Sequence, residues 1–235
     1  MSEALKKTLV TAGRILAAEG QRDYTRGHLS ARHPLDPDFF FMKPQRIGLE
    51  EMTPETIITV NLEGEKVEGE APRHSEAFIH SEILRARPDL NAVIHTHPPH
   101  AVAFTALGRE LQPIGQPSTI FHRGLPVFAD TIDLITDQAR GRAVARCLGQ
   151  HKALLLKNHG IVVAGVTVEE AVYHALLLED ACRLQLLADA AGGAKALFSD
   201  DEVSKLGERL LRSEAIETTF AYLARRTGAG GGQIP

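Results

Sequence analysis

The chain contains no tryptophan, three tyrosines and two cysteines in 235 residues. Cys147 and Cys182 both fall on helical patterns, which argues against a disulfide framework and for a reducing compartment. Long apolar runs are missing as well. The longest are strand-like pieces such as "ALLL" and "GIVVAG", far below a membrane span. Nor does charge of one sign accumulate: 26 basic and 30 acidic residues are interspersed, with a net of −4 and no basic block suited to nucleic acid. Met1 to Leu9 reads as a charged amphipathic start and not as a signal peptide. The expectation is a soluble, cytoplasmic protein that partners neither nucleic acid nor membrane. Its 43% hydrophobic content suffices for one α/β domain with a full core. We expect that domain over residues 1–226 and a flexible tail, "TGAGGGQIP", over 227–235. The tail's glycines are no dinucleotide fingerprint, because neither strand nor helix flanks them.

Apolar spacing predicts helices over Ser2 to Gly20, Ser75 to Arg87, Gln138 to Leu148, Thr167 to Ala190 and Asp200 to Arg226, with a short one in "AVAFTALG". Strands are expected in "RGHLSAR", "DPDFFFMKP" and "LPVFAD", a hairpin over Glu55 to Glu70, and two strands around a turn in "KALLLKNHGIVVAG". Because several strands are hairpin-joined while helices alternate with them, the pattern favours a mixed or mainly antiparallel sheet with helices on both faces.

Histidine is abundant, with eleven in all. In "NAVIHTHPPH" three apolar residues run into His95, Thr96 and His97. Residues i and i+2 of a strand share a face, so His95 and His97 point together while Thr96 points away. Two such imidazoles begin a divalent metal site, although a solvent-facing polar strand end accounts for the pair equally well. Pro98 and Pro99 stop the strand and stiffen the backbone behind them. His159 sits in the "KNHG" turn, where Asn158 and Gly160 supply permissive geometry; alone it is a surface histidine, and with the pair it becomes the natural third ligand. Glu76 begins the helix that leads into the His95 strand and is the acid/base candidate, a position a helix dipole alone would also favour. His80, one turn further along, reads as structural. His100 is read either as a supporting group behind the ligands or as an exposed helix start.

Taken together, "GHLSAR", "HSEAFIH", "HTH" and "KNHG", in that order over roughly residues 5–225, resemble the class II aldolase/adducin family. The resemblance implies a three-layer α/β/α fold around a mainly antiparallel sheet, and a homotetramer with its site near a subunit interface. It also implies that His95, His97 and His159 hold a divalent ion (zinc, manganese, cobalt or iron), with Glu76 as acid/base or additional resting-state ligand. A Lewis acid chelated by two substrate oxygens stabilises negative charge on the adjacent carbon framework, which serves aldol cleavage, epimerisation and decarboxylation alike.

Departures from the family's sugar-phosphate aldolases bear on the substrate. Those enzymes carry an asparagine in the first turn, a Thr-Gly pair in the next loop and two serines before the glutamate. Here the corresponding residues are His28, Gln45-Arg46 in "KPQRIG", and His74-Ser75, and the second-subunit tyrosine has no clear counterpart around Ser118 to Arg123. A small phosphate nest has become bulky and cationic. Arg46, Arg73, His74 and Arg123, with His28, Ser30 and Ser75, are therefore expected around a carboxylate substrate, since a guanidinium binds carboxylate bidentately; each arginine could equally be a surface charge. Tyr222, on the last helix, is a weaker candidate for a neighbouring subunit's contribution. The expectation is a lyase that decarboxylates a hydroxylated aromatic dicarboxylate. The alternatives are an aldolase or epimerase on a hydroxy-acid or sugar-derived substrate, a non-haem iron oxygenase on an aromatic acid, and, more remotely, a non-catalytic binding module.

Overall fold

A computed structural model describes residues 1–21 and 23–228. Eight strands form one sheet: β1 (His28–Arg32), β2 (Phe39–Met42), β3 (Ile58–Asn61), β4 (Lys66–Glu68), β5 (Ala92–Thr96), β6 (Val127–Phe128), β7 (Ala153–Leu156) and β8 (Gly160–Gly165). Their order is β4-β3-β2-β1-β5-β8-β7-β6, and every pairing is antiparallel except β6 with β7. That exception has a local cause. The helix α4 (Gln138–Leu148) lies between β6 and β7 in the chain, and a crossover of this kind returns the strand in the same direction.

Strand alternation divides the core into two layers. Leu29, Ala31, Ala92, Ile94, Leu155, Ile161 and Val163 face one side of the sheet, where they pack with α1 (Ser2–Leu16), α3 (Pro99–Thr105), α5 (Val168–Ala190) and α7 (Ser213–Arg226). Phe40, Met42, Val93, Leu154, Leu156 and Val162 face the other, against α2 (Ala77–Ala86) and α4. The result is the expected three-layer α/β/α arrangement. At about 25 cal/mol per Å2 of buried apolar surface, the two layers supply most of the drive to fold.

Helix boundaries follow side-chain chemistry. Thr167 caps α5 by accepting from the Glu170 amide, and Asp137 caps α4 by accepting from the Arg140 amide. The expected single helix from Asp200 to Arg226 is in fact two. Helix α6 (Asp200–Leu210) ends at Leu211, and Arg212 turns extended at φ −68°, ψ 136° before α7 begins. No glycine or proline marks this break. Of the tail expected from 227 onward, residues 229–235 lie outside the described residues. Among the described residues no helix is long and apolar enough to cross a membrane, and both cysteines are free.

Candidate active site

The last turns of β5 and β8 build the site. His95 pairs with Val162 across the β5–β8 ladder, and Thr96 with Ile161. As alternation requires, the Thr96 hydroxyl points to the opposite layer, where it donates to Gln21 Oε1 at 2.7 Å. His159 arrives from the turn before β8. Asn158 holds a left-handed φ of 54° there, and its amide donates to Thr105 Oγ1. Gly160 then passes so close to β5 that a Cβ would sit 2.4 Å from the Thr96 carbonyl oxygen and 2.8 Å from His97 Cδ2. Only glycine lets the two strand ends meet, and their meeting brings the imidazoles together.

The three rings lie within 5.0 Å of one another between centroids. His97 and His159 are stacked, and His95 is edge-on to both. One nitrogen from each falls within 4.8 Å of the others. His95 Nδ1 is 2.8 Å from the Ile161 carbonyl oxygen, which can only accept, so that nitrogen carries the proton and Nε2 presents its lone pair. This Nε2 is fully buried and has no hydrogen-bond partner. Asp23 Oδ2 stands 3.1 Å from His97 Nδ1, close enough for its charge to act on the ring although the two are not aligned as a hydrogen bond. Burial, reinforced by the neighbouring imidazoles, holds His95 well below the usual histidine range and brings His97 down to about 3, so both rings are neutral donors at neutral pH. These residues fit a divalent metal ion: three imidazoles, one of them offering the orphaned buried Nε2 of His95, with an open side toward the cleft.

Glu76 stands at the residue before α2 without capping it and is buried. Its Oε1 accepts from the Ile135 amide at 3.0 Å, which fixes the carboxylate and leaves Oε2 facing the rings, 3.6 Å from His95 Nε2. Above it opens a cleft of about 880 Å3, lined by Asp23, Thr25, Arg26, Gln45, Arg46, His74, Ser75, Glu76, His97, Asn158 and His159, with an apolar wall that includes Val102, Ile132 and Leu134.

Other expected residues are placed less uniformly. Arg46, His74 and Ser75 line the cleft. Arg46 does so from a left-handed backbone, φ 70°, and burial lowers His74 to about 4. His28 and Ser30 lie beneath its floor, fully buried, and touch His80 rather than the opening. Arg73 turns back along its own chain, its Nη1 donating to the His74 carbonyl while its guanidinium covers the Phe78 ring. Arg123 and Tyr222 are outside the cleft lining of this chain. Arg123 is exposed after the 116–121 turn, and Tyr222 lies under Arg226 on α7. His100 faces away from the triad and meets Glu179 at 2.6 Å.

Asp23 and Arg26 were not anticipated, because the turn between α1 and β1 carries no motif. Lys43 was also missed. Its buried ammonium donates to the carbonyls of Thr25 and Pro44 and so ties two cleft loops together, while burial lowers its pKa to about 8.

An α/β/α sandwich with imidazoles and a carboxylate gathered at the strand ends defines a class of protein built to offer a divalent-metal site. The family description "Class II Aldolase and Adducin N-terminal domain" matches residues 7–186, and the chain belongs to that family. It is similar to the 4-hydroxy-3-prenylphenylpyruvate oxygenase/4-hydroxy-3-prenylbenzoate synthase of Streptomyces roseochromogenus subsp. oscitans, 38% identical over 83% of this chain and 70% of that one. It is 30% identical to the 3,4-dihydroxyphthalate decarboxylase of Arthrobacter keyseri, over 86% and 85% of the two chains. Among solved structures, the L-fuculose 1-phosphate aldolase of Glaciozyma antarctica PI12 superposes with a TM-score of 0.86 at 31% identity, covering 96% of this chain and 89% of that one.

Proposed function

We propose that the protein is a divalent-metal-dependent carbon–carbon lyase that decarboxylates a hydroxylated aromatic dicarboxylate. The observation that carries the reading is the position of Glu76: its carboxylate faces the His95, His97 and His159 cluster at the floor of a cleft whose rim carries Arg26 and Arg46. A divalent ion held by the three imidazoles supplies Lewis acidity toward a phenolic oxygen and the neighbouring carboxylate. Arg46, and Arg26 where its pairing with Asp23 allows, bind the second carboxylate and turn the scissile one toward the floor. As the ring–carboxylate bond breaks, CO2 leaves and the bonding electron pair stays on the ring carbon. Glu76 relays a proton from solvent to that carbon, and the Ile135 amide holds its carboxylate in place. The apolar wall of Val102, Ile132 and Leu134 receives the aromatic ring.

The named decarboxylation of the Arthrobacter relative supports this reading, as does the replacement of a small-residue phosphate nest by His74, Gln45 and Arg46. We assign the protein to the cytoplasm and to a homotetramer with zinc, manganese, cobalt or iron as its ion. The Streptomyces relative's name, an oxygenase, supports a second reading, in which this protein would use iron and O2 on an aromatic acid.

Anaerobic turnover of a panel of hydroxyaryl dicarboxylates by manganese-loaded protein, read as CO2 release, separates the two. Release that falls by about 100-fold or more in Glu76→Gln, within the usual range for a general acid, is the expected result. Turnover only with iron and O2 would move the protein to the oxygenases, and silence under both conditions would return it to aldol substrates.

A further inference from the structure

Beneath the cleft floor, sharing Glu76 and His95 with it, sits a second convergence of donors. His28 lies directly opposite His95 in the β1–β5 ladder, and both rings are fully buried. His28 Nδ1 is 2.6 Å from His80 Nε2, and His80 Nδ1 is 2.6 Å from Ser30 Oγ. His28 Nε2 has no hydrogen-bond partner. It stands 3.8 Å from the same Glu76 Oε2 that lies 3.6 Å from the orphaned His95 Nε2, and both separations are beyond a hydrogen bond.

The hydrogen-bond chain explains which nitrogen is bare. If His28 Nδ1–H donates to His80, and His80 Nδ1–H donates to Ser30, every ring N–H has an acceptor and the His28 lone pair is left on Nε2. The reverse arrangement would put a proton on Nε2 with no acceptor in reach. His95, whose Nδ1–H goes to the Ile161 carbonyl, shows the same pattern. An imidazole that donates its far N–H to a fixed partner while its near nitrogen stays bare is how a metal-ligating histidine is held.

We propose that His28 is a metal ligand, and that His28, Glu76 and His95 form an inner divalent-cation set beside the outer triad. The three donor atoms lie within 4.8 Å of one another, and all three residues are buried. The proposal rests on the metal centre invoked above and adds a second seat to it. His95 Nε2 has one lone pair, so the two sets are alternative seats for one ion. With the ion in the inner seat Glu76 is a ligand and unavailable for proton transfer; with the ion beside His97 and His159 it is free.

The test uses Co2+ alone as probe on the metal-stripped full chain, read by chelator competition and visible absorption. The His97→Ala/His159→Ala double variant should still bind one Co2+ per chain, and adding His28→Ala should remove it. In the otherwise unaltered protein, His28→Gln should confine Co2+ to the outer seat and so change the absorption spectrum with only a small loss of affinity, whereas in the His97→Ala/His159→Ala background His80→Ala should cost about 10-fold, as loss of an orienting partner does. Circular dichroism in chelator checks that each variant folds. If the double variant does not fold, His28→Gln decides. Unchanged Co2+ affinity and spectrum in His28→Gln, or binding by the double variant that survives His28→Ala, would overturn the proposal. No substrate enters these measurements, so they stand whether or not the protein releases CO2.

Discussion

Replacing Gly160 by alanine tests the link between fold and site at its narrowest point. A Cβ there meets the Thr96 carbonyl oxygen at 2.4 Å, where ordinary contact begins near 3.4 Å. The obstacle is backbone, so no rotamer relieves it, and β5 and β8 must part by about 1 Å at the end of a ladder that is otherwise in register. Overpacking of this kind costs about 1–3 kcal/mol. At about 2–4 °C per kcal/mol for a chain of this size, the melting temperature should fall by about 2–12 °C. The larger effect is on the site, since the displaced segment carries His159 and presses on His97. Ligand shifts near 1 Å should lower metal affinity by about 10–100-fold, the range seen when the supports of a metal site are removed. Gly165→Ala is the control. Its Cβ meets the Ala171 amide and the Thr167 carbonyl at 2.7 Å, a similar clash at the far end of the same strand. It should lower the melting temperature without changing metal affinity. Both variants are measured by thermal unfolding in chelator and by chelator competition. A Gly160→Ala protein that melts and binds metal like its parent, or a Gly165→Ala protein that loses metal equally, would refute the reasoning.

Asp23→Asn keeps the shape beside His97 but removes the neighbouring charge, and should weaken metal binding about 10-fold with little change in melting temperature in chelator. Arg46→Ala should raise KM for a dicarboxylate about 10-fold while leaving kcat close to unchanged, the signature of lost ground-state binding, in steady-state CO2 assays. His174, buried on α5 away from the cleft, is pushed down to about 4, mainly by burial. Between pH 4 and its unfolded value near 6.5 the unfolded chain binds the extra proton, so stability rises with pH across that window and is lost as pH falls through it. His174→Leu should flatten that slope by up to about 3 kcal/mol in the metal-free protein, read as parent-minus-variant unfolding free energies at pH 4.5 and 7.

What could be read from the sequence were properties governed by short-range periodicity. His95 and His97 share a face because strands alternate, and the same rule sends Thr96 to Gln21. The Thr167 cap follows from the preference of its side chain. Asp23, Arg26 and Lys43 were hidden because their places depend on how the turn after α1 and the loop after β2 pack against each other, which leaves no periodic trace. The break at Arg212 was hidden for a similar reason: a residue with good helix propensity turns extended there, so local preference gives no warning. His28 was expected to touch substrate because "GHLSAR" occupies the place of a phosphate loop. Strand parity turned it instead toward α2 and His80.

The two margins of the sheet set limits on how copies of this chain could join. One margin is β4, three exposed residues of which two are charged, with an irregular register against β3; the other is β6, only two residues long. Short, charged and irregular margins offer no template for a foreign strand. Any stable association of copies through the described residues must therefore be built from helix faces and loops. Such contacts are made of side chains and can be altered one residue at a time without disturbing the backbone ladder that carries the imidazoles.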